Sequence, residues 1–131
     1  AQGMTNLTVM VATHPHADHI GGLVEVMQGM PVGQMWTSGA SHTTQTYERF
    51  LDAIDAAKIP YHEAAPGDTI PFGTSAFDVL HARTTADELN DTSLVVRLQH
   101  GDVSFLLTGD AEAASTPGRK YHDSYATRGL P

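Results

Sequence analysis

The 131-residue chain has no cysteine, so disulfides and thiolate ligands are excluded, and any bound metal must be held by nitrogen and oxygen donors. Cations are scarce as well: seven Lys and Arg stand against fifteen Asp and Glu, a formal net charge of −8. Such a balance opposes unspecific attraction to a polyphosphate unless bound cations reverse the field locally. No stretch approaches the roughly eighteen uninterrupted apolar residues of a membrane-spanning helix, and the start lacks the basic-then-apolar layout of a signal peptide. Stable membrane insertion of this segment is therefore not expected. What is present, 40% hydrophobic and 17% charged residues, with turn formers between the apolar runs, is the composition of a globular domain. The length allows one domain.

Periodicity points to mixed α/β structure. Over residues 7–13, Leu7, Val9 and Val11 alternate with Thr8, Met10 and Ala12, which predicts a buried strand. A polar cluster follows, and then Ile20, Leu23, Val24 and Met27 recur at helical spacing up to Gly29. Residues 32–37 form a second expected strand. Tyr47, Phe50, Leu51, Ile54 and Ala57 line one face of a second helix that Pro60 ends. Short strands with tight turns at Gly67 and Gly73 are expected over residues 61–73. A strand over residues 75–80, a loop over 81–92 and a hairpin turning at Gly101-Asp102 complete the pattern, and the hairpin delivers Gly109 and Asp110 at its end. Residues 1–115 are expected to form the domain, and 116–131, mostly polar and aperiodic, a weakly structured tail.

Three histidines and an aspartate crowd into His14-Pro15-His16-Ala17-Asp18-His19, directly after the first strand. In extended chain, residues two apart point to the same side, so His14 and His16 can aim their rings at one point. Pro15 biases His14 toward extended geometry and lowers the entropy lost when both rings are pinned. Asp18 and His19, displaced as the chain turns into the helix, suit a second metal. Two divalent ions about 3.5–4 Å apart can bring the pKa of a shared water toward 7 and clamp the attacking and leaving oxygens of a displacement. Such a pair needs a carboxylate between the ions, and Asp110, preceded by the permissive Gly109, is the candidate. Gly21 and Gly22 are expected to open the helix beside the site, where its amides favour anions. Taken singly, each of these residues has an ordinary structural reading; the grouping carries the inference. His42, His62, His100 and His122 read as surface residues, Asp87, Glu88 and Asp91 as a solvated loop, and His81 and Asn90 remain open.

The run His14-x-His16-x-Asp18-His19 followed by Ile20-Gly21-Gly22 resembles the signature loop of metallo-β-lactamase-fold hydrolases. More narrowly, residues 13–23, then Asn90-Asp91-Thr92-Ser93-Leu94-Val95, then Phe105-Leu106-Leu107-Thr108-Gly109-Asp110-Ala111-Glu112, are similar to the C-terminal domain of ComEC-type bacterial competence proteins, which take up DNA. The resemblance spans about residues 7–113. It implies an αββα sandwich with two divalent metals, Zn or Mn, at one edge of the two sheets. By the same resemblance His14 and His16 bind the first metal, Asp18 and His19 the second, and Asp110 bridges them. Asn90 and Asp91 stand where many members carry a further histidine before a strand, so fewer imidazoles on the first metal would favour manganese. Neither the strand with an Asp-x-Gly turn that usually opens this fold nor the His-His-Gly loop that usually closes it is present, so the domain is expected to be incomplete at both ends and part of a larger bacterial membrane protein, with this portion extracytoplasmic. The function implied is metal-dependent hydrolysis of phosphodiesters, single-stranded DNA above all, with Asp18 orienting the hydroxide. Hydrolysis of an ester, thioester or lactone is the alternative within the superfamily. A binding or structural module that has lost activity is the alternative of another class.

Overall fold

The computed structural model describes residues 3–112. Its first strand, β1 (Met10–Ala12), leads through a loop into α1 (Ala17–Gly29), followed by β2 (Met35–Thr37), α2 (Gln45–Ala56) and β3 (Tyr61–Glu63). These strands form a parallel sheet in the order β1-β2-β3. β4 (Thr69–Phe72), β5 (Ser75–His81), β6 (Val95–His100) and β7 (Val103–Leu107) then form an antiparallel sheet in sequential order. A single 3-10 turn, Leu89–Thr92, precedes β6. The expected tail over 116–131 and His122 lie outside the described residues.

The alternation over residues 7–13 is resolved into two opposite faces. Met10 and Ala12 pack with Ile20 and Met27 of α1 and Phe50 and Ile54 of α2. Val9, Val11 and Trp36 instead pack against Ile70, Val79, Leu94 and Val96 of the second sheet. Both faces are covered, as a parallel strand requires. The molecule is thus layered as helices, parallel sheet and antiparallel sheet, three of the layers of the expected sandwich. On the outer face of the antiparallel sheet Arg97 donates to Asp78 across the β5–β6 pair at 3.0 Å.

Two expectations change in detail. The first two strands are shorter than their sequence patterns, joined upstream by one isolated bridge between Leu7 and Val32. The cause is a tight crossing: the Gly33 amide donates to the Leu7 carbonyl, and a Cβ on Gly33 would stand 2.6 Å from the Thr8 carbonyl oxygen. Gly21 and Gly22 do not open α1, which starts four residues earlier at Ala17. Gly21 instead faces the Thr46 methyl of α2, which lies 3.7 Å from where its own Cβ would be, an ordinary contact distance. The second helix follows its pattern closely. The Thr44 hydroxyl caps it by accepting from the Tyr47 amide at 3.2 Å, and Phe50 and Ile54 are buried.

Candidate metal centre

At the C-terminal end of β1 the two sheets are tied together, because the Leu94 amide donates to the Thr13 carbonyl at 2.7 Å. His14 comes next. Its imidazole is fully buried, and the following Pro15 and His16 keep the chain extended, with His16 at φ −69° and ψ 144°. His14 Nε2 and His16 Nδ1 lie 3.0 Å apart, so the two rings do converge. The His16 carbonyl then accepts from the His19 and Ile20 amides and starts α1. This turn brings the His19 ring to 4.2 Å from that of His14, centroid to centroid.

Asp110 arrives from the other sheet. Gly109, at φ +55°, turns the chain after β7 in the left-handed region, and a Cβ there would stand 2.9 Å from Thr13 Cβ and 3.1 Å from Ser93 Oγ. Only glycine fits both the dihedral and the space. The Asp110 Oδ2 atom is then 2.9 Å from His19 Nε2 and 3.6 Å from His14 Nε2. One ligand atom each from His14, His16 and Asp110 lie within 4.8 Å of one another. The carboxylate therefore stands between imidazoles contributed by the loop and by α1.

The face of His14 turned away from this cluster is held by hydroxyls. Its Nδ1 is 3.1 Å from Thr13 Oγ1 and 3.2 Å from Ser93 Oγ. With the proton on Nδ1, His14 donates to a hydroxyl and presents the Nε2 lone pair to the cluster, the arrangement by which outer partners orient a metal-binding histidine. Burial, and then the neighbouring His19, push the His14 pKa below its ordinary 6.5, which keeps the ring neutral and able to ligate.

The remaining expected residues are arranged less tightly. Asp18 is exposed at the rim, its Oδ2 3.6 Å from His19 Nε2. Asn90 and Asp91 lie on the 3-10 turn: Asp91 Oδ1 accepts from the Glu112 amide at 3.3 Å, and Asn90 Oδ1 is buried with no partner. Three further contributors join them: Ser93, which the sequence does not single out, His81, which it leaves open, and His42, which it places on the surface. Ser93, completely buried, touches His14 and also accepts from the Asp110 amide at 3.2 Å. Behind it, the buried His81 has its Nδ1 2.9 Å from the Ser93 carbonyl, a geometry for donation. His42, expected on the surface, lies against His16 with ring centroids 5.9 Å apart. A serine directly before a buried strand was the available signal for Ser93; His42 had none, because its proximity comes from the β2–α2 loop.

A donor set of imidazole nitrogens and carboxylate oxygen, with hydroxyl support and no sulfur, fits a borderline or hard divalent ion. Comparison with known proteins agrees with this chemistry. The family model of the metallo-beta-lactamase superfamily matches residues 5–128. The ComE operon protein 3 of Bacillus subtilis (strain 168) is 28% identical over 114 residues, covering 86% of this chain and 15% of that protein; the chain thus spans about a seventh of its length. Among solved structures, CmlA, a diiron beta-hydroxylase from Streptomyces venezuelae, superposes with a TM-score of 0.60 over 95% of this chain and 24% of that one, at 14% identity. At that identity the likeness concerns the fold.

Proposed function

The chain belongs to the metallo-beta-lactamase superfamily, and from that premise we propose that it hydrolyses phosphodiesters, single-stranded DNA in particular, with two divalent ions held by its histidine-rich loop and Asp110. The observation carrying this reading is the carboxylate of Asp110 set 2.9 Å from His19 and 3.6 Å from His14, as a group shared by two ions requires. His14, His16 and Asp110 would hold one ion, and Asp18, His19 and Asp110 the other. When bound, such ions supply Lewis acidity and neutralise the charge that develops on a phosphoryl group. The chain's own groups do the rest. His14, locked by Thr13 and Ser93, keeps one donor fixed. Asp18, on the open side of the cluster, orients the attacking water and takes its proton on the carboxylate. The similarity to the ComE operon protein 3, and to competence proteins more widely, supports DNA as substrate and a longer membrane-bound parent with this portion extracytoplasmic. None of the described helices is itself long and apolar enough to cross a membrane. Manganese is favoured over zinc because oxygen donors supplement few imidazoles.

The test is cleavage of a labelled single-stranded oligonucleotide and of bis(p-nitrophenyl) phosphate by chelator-treated protein reloaded with Mn²⁺ or Zn²⁺. Cleavage should require the metal. It should fall by roughly 10²–10⁴-fold in Asp18→Ala, the range for loss of a general base, with the circular dichroism spectrum unchanged. Undiminished cleavage by Asp18→Ala would refute the assignment. Turnover of ester or lactone substrates alone would move the activity to the alternative hydrolase class, and metal binding no tighter than about millimolar would identify an inactive module.

A further inference from the structure

The strand ends beside the metal centre also border an open groove. Its walls include Ser38 after β2, Ala65 and Pro66 after β3, and Arg83, Thr84 and Thr85 after β5. It holds about 510 Å³, within the roughly 300–1,000 Å³ range of small-ligand clefts. Ser38 also lines the small hollow beneath His14 and Pro15, so this one residue borders both the groove and the hollow under the first candidate ligand. The far wall follows β5, the strand that ends at His81. Arg83 lies two residues beyond His81, whose ring meets the Ser93 carbonyl, while the Ser93 hydroxyl contacts His14. Gly39, at φ +81°, closes the floor between the sheets, its Cβ position 3.0 Å from the Thr84 methyl and 3.1 Å from a Glu63 carboxylate oxygen.

Charge selects the occupant. The described residues include four cations, Arg49, Lys58, Arg83 and Arg97. Arg97 is paired with Asp78, Arg49 lies on the exposed side of α2, and Lys58 lines a separate hollow with Leu51 and Ile54. Arg83 alone of these four borders the groove. In a chain of net charge −8, a polyanion gains from a cation beside the bound ions, and among the described cations Arg83 is the one on this groove, whose floor also carries the Glu63 carboxylate. Resting on the hydrolase reading above, we infer that this groove receives the nucleotide flanking the scissile phosphodiester of a single strand. Arg83 grips its phosphate, the hydroxyls of Thr84 and Thr85 donate to phosphate or sugar oxygens, and Ala65 and Pro66 provide an apolar rest for the sugar or base.

The experiment measures binding of a fluorescein-labelled oligothymidylate to the full chain with Mn²⁺ by anisotropy across a salt series, beside hydrolysis of bis(p-nitrophenyl) phosphate, which is too short to fill the groove. Arg83→Ala should weaken oligonucleotide binding and reduce the slope of log K against log salt by about 0.7, the contribution of one phosphate contact on a single strand. Arg83→Lys should keep the slope, Lys58→Ala should match the parent, and hydrolysis of the small diester should be unchanged in all three. An Arg83→Ala protein with the parent's affinity and slope overturns the inference, as does failure of the parent to bind the oligonucleotide. Binding that depends on Arg83 without cleavage of either substrate would leave the groove standing and sink the hydrolase reading instead.

Discussion

Ser93 shows how much a single uncharged side chain contributes to a site otherwise built of histidine and aspartate. Its hydroxyl touches Nδ1 of His14 and accepts from the Asp110 amide, so one buried atom orients groups that are 96 residues apart in the chain. Loss of such outer partners weakens metal binding by roughly 10–100-fold in known sites. Ser93→Ala is therefore expected to lower Mn²⁺ affinity by about that factor in isothermal titration, with no change in secondary structure; an affinity equal to the parent's would show that Thr13 suffices. The histidines themselves were legible because they cluster in sequence. Ser93 was not, since a serine before a strand is commonplace and only its burial against His14 distinguishes it. Asn90 and Asp91 lie on the 3-10 turn that leads into Ser93, whose amide donates to the Asn90 carbonyl at 3.0 Å.

Among the elements, α2 links packing to chemistry. It carries no candidate ligand, but its Phe50 is 2% exposed and lines the hollow under His14 and Pro15 together with Ile20 of α1. Phe50→Ala should cost about 3–5 kcal/mol, the usual range for removing a buried aromatic ring, measured by urea denaturation; a loss below 1 kcal/mol would mean that the helix layer repacks freely. The helices and the long strands were readable because their apolar periods are 3.6 and 2. Strand ends were less so. Gly33 crosses too close to Thr8 for the ladder to continue, a contact between segments that neither segment's own pattern contains.

For the whole molecule, the decisive feature is that the candidate ligands come from both sheets: His14 and His16 follow the parallel strand β1, whereas Asp110 follows the antiparallel strand β7. A metal bound by both would cross-link the sandwich at one edge. Binding to the folded state alone stabilises by RT ln(1 + [L]/Kd), about 2.7 kcal/mol at a hundredfold excess over Kd. Mn²⁺ at that concentration should raise the unfolding free energy by this amount, and Asp110→Asn should abolish most of the gain; an equal gain in Asp110→Asn would place the ion elsewhere. At the opposite side of the antiparallel sheet from β4, the edge strand β7 leaves Val103, Phe105 and Leu107 about half exposed. By register these lie on the same face as Val96 and Leu98, so the apolar interior face extends farther than the described parallel sheet covers it.

The amino-acid order alone determined that this is an α/β domain with a nitrogen- and oxygen-only metal chemistry, because hydrophobic periods and a dense local histidine motif are properties of short segments. Which side chains meet was settled only on folding. The approach of Asp110 to His19 and the clasp of the Ser93 hydroxyl on His14 depend on how two sheets are stacked and turned, and contacts between residues 91 and 79 positions apart leave no periodic trace in the chain.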